Sequence, residues 1–148
     1  MNRKDMALAS SAAGCNCAQS VLIAYCEDFG LDEPTALRLC EGFGGGVAGN
    51  GMLCGALSGA VAVLGLYAGR TQGQDAKQAK ARTNMLCNKL LAGFKQELGY
   101  VDCSALLGHD IATPEGSANA MNSGARKRVC PSCIALACEL LDKILQDD

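Results

Sequence analysis

Between Gly42 and Gly69 the chain reads GFGGGVAGNGMLCGALSGAVAVLGLYAG, without a single charged residue. Such a stretch has to be hidden from water, and its two halves ask for different backbones. Five glycines between Gly42 and Gly49 permit positive φ and close approach to another group, whereas Leu53 to Leu66 offers apolar positions all round and predicts a buried helix. Gly55, Ala56, Ser58, Gly59, Ala60 and Ala62 carry little side chain, so neighbouring helices can pack on this helix's backbone. Cys54 falls at the junction, an expected helix start where free N–H groups and the dipole stabilise a thiolate or a bound anion. Gly51 and Gly55 flank it as points where the backbone could approach a bound group. The competing account is a core helix behind a flexible loop, with Cys54 as a small hydrophobe. A bilayer is the less suitable environment. The uncharged length reaches the roughly 18 residues a span requires, but Gly, Ala and Ser dominate, no aromatic belt flanks the stretch, and no second hydrophobic segment accompanies it. No membrane span is expected.

The rest of the chain supplies helices to surround this element. A length of 148 residues is expected to form one domain with its own core. A net charge of -2, no Trp, three Tyr and three Phe leave little with which to bind or stack on nucleic acid. MNRKDMALASSAAG has no sustained apolar run of the kind a secretory signal needs, so a cytoplasmic address is expected. In a reducing compartment, ten cysteines are more often metal ligands or redox groups than staples.

Residues 2–13 predict a short helix ended by Gly14. GCNCAQSVLIAYCEDFG then places Cys15 and Cys17 at a helix start capped by Asn16, with Val21, Leu22, Tyr25 and Phe29 on one buried face and Gly30 as the stop. Asp32 caps a further helix through Cys40. TQGQDAKQAKARTNMLCNKLLAGFKQELG predicts a long amphipathic helix whose Lys77, Lys80 and Arg82 form a solvated face and whose Cys87 joins the core. Asp102-Cys103-Ser104 looks like another cap followed by one or two turns. His109, the only histidine, is expected at the surface with a local hydrogen bond. TPEGSANAMNSGA, from Thr113 to Ala125, should be a mobile loop or weak helix. Finally, RKRVCPSCIALACELLDKILQ predicts a helix opened by Cys130-Pro131-Ser132-Cys133. The helix start and Arg126, Lys127 and Arg128 favour a Cys130 thiolate, with Cys133 as the candidate resolving thiol and Cys130 the first to react; burial should slow Cys54. No βαβ pattern surrounds this Cys-x-x-Cys, so a thioredoxin fold is not expected.

Cys17, Cys54, Cys103 and Cys130 thus stand at four expected helix starts, within NCAQSVL (16–22), CGALSG (54–59), CSALLG (103–108) and the segment after the basic run. These segments resemble the redox-active family named for its C, GCAxxG, C, C pattern, and together they cover nearly the whole chain. The resemblance implies a small helical protein whose four cysteines are redox-active, without an established reaction and often encoded near transporter genes. The chain is also similar to the C-terminal part of split-Soret cytochromes c, whose cysteines have been linked with a non-haem iron centre. There is no Cys-x-x-Cys-His, so covalent c-type haem is not implied. Cys15 and Cys133 are additional to a four-cysteine pattern and leave the pairing open.

Three functions compete. The first is thiol-disulfide or electron transfer with a partner protein or small thiol. The second is an iron-sulfur cluster or zinc held by Cys17, Cys54, Cys103 and Cys130. The third is a structural helical partner of a transporter, which needs none of these thiols; a homo-oligomer is compatible with all three. The expected architecture is all-α, about six helices around the 53–66 helix as the most buried element, with the four cysteines gathered in one region.

Overall fold

A computed structural model describing all 148 residues is all-α, with eight α-helices where about six were expected. Helix α1 (Arg3–Ala12) is capped by Asn2 and lies against α2 (Cys17–Tyr25), which continues as a 3-10 turn to Phe29 and closes at Gly30. Asp32 caps α3 (Glu33–Cys40), with Pro34 in its first turn, where a missing N–H is harmless. The glycine loop then leads to α4 (Gly55–Ala68). Next come α5 (Ala76–Leu98), capped by Asp75, the five-residue α6 (Cys103–Leu107), α7 (Pro114–Asn122) and α8 (Ala125–Asp147). None of these helices is long and apolar enough to cross a membrane.

Helix α4 packs on α2, α5 and α8, and its closest neighbour is α2. Small residues permit this: a Cβ placed on Gly59 would stand 2.5 Å from the Ala18 carbonyl oxygen. The side chains around the contact are Val21, Leu22, Leu57, Leu64, Leu86, Leu90, Phe94, Ile134 and Leu141, all buried. α4 is nevertheless not the most buried helix. Seven of the nine residues of α2 are buried against eight of fourteen in α4, where Leu66 remains 39% exposed. The reason is position, since α2 lies between α1, α3, α4 and α8 while one strip of α4 has no helix over it.

Near the C-terminus one expectation is decided between its two alternatives and one requires correction. Of the mobile loop or weak helix expected over residues 113–125, the structure has the helix: Thr113 caps α7 by accepting from the Gly116 N–H at 3.0 Å, Pro114 occupies its first turn, and Gly116 and Ala120 are buried. Cys130-Pro131-Ser132-Cys133, by contrast, does not open a helix. α8 begins at Ala125, with Gly124 in the left-handed conformation before it, so Cys130 lies more than a turn inside and Pro131 interrupts the helix. Proline has no N–H to give, which leaves the Lys127 carbonyl without its usual i+4 donor. The expected start was set at the proline, whereas burial of Ala125 among Cys103, Leu107, Ile111 and Ala120 draws the helix earlier.

Candidate thiol site

Three local devices bring the cysteines together. The first is a capping box on α2. Asn16 Oδ1 accepts from the Gln19 N–H (2.8 Å) while Gln19 Oε1 accepts from the Asn16 N–H (2.9 Å), placing Cys17 in the first helical position. The same side chains hold the end of α3, as Asn16 Nδ2 donates to the Cys40 carbonyl (3.0 Å) and Gln19 Nε2 to the Leu37 carbonyl (3.0 Å). Gln19 was missed as a positioning residue. An Asn followed three residues later by Gln is the signature that identifies it.

The second device joins the starts of α4 and α6. Residues 51–54 run antiparallel to residues 101–104: Cys54 N–H donates to Val101 O (2.8 Å), Cys103 N–H to Met52 O (2.6 Å) and Ser104 N–H to Gly51 O (3.1 Å), around a single bridge between Leu53 and Asp102. Cys54 becomes the N-cap residue of α4, and Cys103 the first residue of α6. Asp102 occupies the cap position of α6 but makes no side-chain cap bond. Gly51 makes the pairing possible, with φ at +72° and the space of its missing Cβ taken by Ser104 Oγ, 1.9 Å away. Gly55 is likewise packed against Ala18, Cys17 and Phe43, all 3.2 Å from the position of a Cβ. Both glycines therefore serve close approach, and what approaches is the protein's own chain.

The third device is the glycine loop, whose residues Gly45, Gly46, Val47, Ala48 and Gly49 all have φ between 52° and 76°. Left-handed backbone costs a non-glycine residue about 1–2 kcal/mol, so Val47 and Ala48 store strain. Bonds from Gly51 N–H to Gly45 O and from Met52 N–H to Gly46 O, both 2.9 Å, close the turn. It presents Gly45 to the thiols and seats Gly46 on the Cys103 Cβ.

These devices converge. Cys17, Cys54, Cys103, Cys130 and Cys133 line one cavity of about 30 Å³ with Gly45, Gly55, Leu106, Leu107, Arg126 and Val129. A volume on the order of one water molecule leaves the sulfurs facing mainly each other. The neighbouring Cys17 thiol is the largest influence on Cys130 and draws it down to about 7 while Cys17 itself is pushed up; burial opposes the shift at Cys130 and Arg126 assists it. The Cys133 thiol is the largest influence on Cys54, which is lowered while Cys133 is raised; the nearby Ala56 and Leu57 N–H groups at the start of α4 also favour the Cys54 thiolate. Cys103 has no such partner. Burial, with Cys54 and Cys130 nearby, pushes it up to about 11.

Both Cys130, where a lowered pKa was expected, and Cys54, where burial was expected to raise it, are lowered, and the cause at Cys130 is not the expected one. Contact with Cys17 leads at Cys130, not a helix N-terminus, and Arg126 is the only cation of the basic run that bears on it. The expected burial effect at Cys54 is outweighed by its hydrogen bonds. Access still separates the two: Cys54 is buried and Cys130 only partly so.

The remaining cysteines stand apart from this cavity. Cys26, Cys40 and Cys138 are buried in the main core and Cys87 packs against it, while Cys15 borders an outer recess described below. His109 meets only Ser123 Oγ, 3.5 Å from Nε2. As the side chains stand, no three His, Cys, Asp or Glu residues are arranged to hold a metal ion.

No curated protein and no solved structure matches the chain. One family profile does, the C_GCAxxG_C_C family described as "Putative redox-active protein", over residues 15–144. That match takes in Cys17, the Cys54-Gly55-Ala56-Leu57-Ser58-Gly59 element, Cys103 and Cys130, and leaves out only short terminal segments. The chain belongs to the C_GCAxxG_C_C family.

Proposed function

We propose that the protein is a thiol-disulfide redox carrier whose working groups are two pairs, Cys17 with Cys130 and Cys54 with Cys133. The observation that carries this reading is that the four sulfurs line one cavity with room for about a single water, where Cys17 is the neighbour that most perturbs Cys130 and Cys133 the one that most perturbs Cys54. A thiolate held by a neighbouring thiol is already the nucleophile and resolving group that disulfide exchange requires. Cys130 attacks a sulfur of an incoming disulfide, expels one thiolate and forms a mixed disulfide. Cys17 then attacks the Cys130 sulfur, closes Cys17–Cys130 and releases the second thiol, which takes the Cys17 proton. Two electrons pass from the protein to the incoming disulfide, and a reduced partner protein or small thiol returns them. Cys54 and Cys133 are a second, more buried pair, with Cys103 beside both thiolates. This pairing replaces Cys133 by Cys17 as the group that resolves Cys130. The proposed setting is the cytoplasm, whose thiol pools reduce such a site again.

The test is pairwise oxidation. Reduced protein treated with a mild thiol oxidant is expected to lose four thiols in this region, two in the Cys54→Ser/Cys133→Ser variant and two in the Cys17→Ser/Cys130→Ser variant. A Cys130–Cys133 link with Cys17 left free would overturn the pairing. Iron and sulfide with visible absorption in anaerobically purified protein would overturn the thiol-disulfide reading itself.

A further inference from the structure

A second, wider recess opens onto the same thiols. It has a volume of about 390 Å³ and is bordered by Ser11, Cys15, Asn16, Cys17, Gly45, Arg126, Lys127, Cys130 and Pro131. Cys17, Gly45, Arg126 and Cys130 belong to both spaces, so the recess is the way in to the Cys17–Cys130 pair. Its volume lies in the range of small-molecule sites, of the order of 300–1,000 Å³. The inner cavity is too small for any substrate beyond a single sulfur group.

The charge around this mouth is one-sided. Arg126 and Lys127 line it, and neither takes part in an ion pair, unlike Arg3, Lys4 and Arg82. No carboxylate borders it; the nearest acidic influence is that of Glu33 and Glu41 on Cys15. Gly45, which borders the recess, adds a backbone N–H that makes no backbone hydrogen bond, whereas the N–H groups of Val47, Ala48 and Gly49 are bonded within the loop. Arg126 is partly buried and reaches Cys130 electrostatically, so an anionic group bound by it lies beside the attacking sulfur.

We infer that the recess selects low-molecular-weight disulfides bearing carboxylates, held by Arg126, Lys127 and the Gly45 N–H while Cys130 attacks their sulfur. This inference rests on the thiol-disulfide reading and names its substrate class. The exchange balances as written for Cys130 and Cys17, with the carboxylate disulfide reduced to two carboxylate thiols and the protein pair oxidised to a disulfide.

The experiment compares three probes of similar length and different charge on the reduced full-length chain: 3,3'-dithiodipropionate (dianion), 2-hydroxyethyl disulfide (neutral) and cystamine (dication). Rates of mixed-disulfide formation are measured by quenching and intact mass. The dianion is expected to exceed the dication by roughly tenfold or more at low salt, with the neutral probe between them. Salt at 0.5 M compresses the ratio through screening. In Arg126→Gln/Lys127→Gln the ratio falls to near unity. Any change in Cys130 thiolate content in that variant cancels, because it affects all three probes alike. Lys77→Gln/Lys80→Gln, which removes the same net charge from the solvated face of α5, retains the preference, as does Cys15→Ser. A dication rate equal to the dianion rate, or a preference unchanged by Arg126→Gln/Lys127→Gln, overturns the inference and leaves the redox reading standing. Failure of all three probes to oxidise the Cys17–Cys130 pair overturns both.

Discussion

Replacing Gly59 by alanine puts one methyl group where α2 and α4 meet. The new Cβ would lie 2.5 Å from the Ala18 oxygen, 3.1 Å from its Cα and 3.2 Å from its carbonyl carbon, against an ordinary contact of 3.4 Å or more. The shortfall at the oxygen is about 0.9 Å, and main-chain atoms cannot rotate away. The helices must separate or bend, an overpacking cost of about 1–3 kcal/mol. Alanine returns roughly 1 kcal/mol of helix propensity, so the net loss expected is about 0–2 kcal/mol. Gly65 supplies the internal control, since it sits in the same helix with nothing within 4 Å of a Cβ. Gly65→Ala is expected to gain roughly 0.5–1 kcal/mol. Urea unfolding under reducing conditions reads both, as midpoints moving in opposite directions at unchanged slope. A consequence at the site follows, because Cys17 precedes Ala18. Separation of α2 from α4 loosens the Cys17–Cys130 contact, and the pH midpoint for Cys130 alkylation in Gly59→Ala moves up from about 7. If Gly59→Ala is as stable as Gly65→Ala, the close helix contact is not what holds this core.

Cys17→Ala removes the donor that holds the Cys130 thiolate, so the midpoint for Cys130 labelling rises above about 7 and labelling at pH 7 slows. Cys17→Ser keeps a donor and recovers part of the shift; identical midpoints in all three proteins would refute the assignment. Gly51→Ala meets both a left-handed φ and Ser104 Oγ, and is expected to lose about 2 kcal/mol or more in the same unfolding assay. Adding Ser104→Ala relieves the oxygen clash but not the backbone cost, so the double variant recovers only in part, and full recovery would show that φ at this position is not under strain.

The sequence by itself determined much of the architecture. A charge-free run beside an all-apolar small-residue segment permits little except a glycine turn and a packed helix, and capping residues such as Asn16, Asp32 and Asp75 mark where other helices begin. Cys17 and Cys54 at helix starts are local facts of this kind, decided within a few residues. Tertiary structure decided what local pattern could not. α8 starts at Ala125 because that side chain is buried by α6 and α7, so the Cys130-Pro131-Ser132-Cys133 pattern lies inside a helix. The partners of Cys130 and Cys133 come from α2 and from the start of α4, 113 and 79 residues away in the chain. Spacing along a chain states which thiols are near in sequence. Packing of α2 on α4, and pairing of residues 51–54 with 101–104, decides which sulfurs share a cavity, and a thiol's acidity follows from the second.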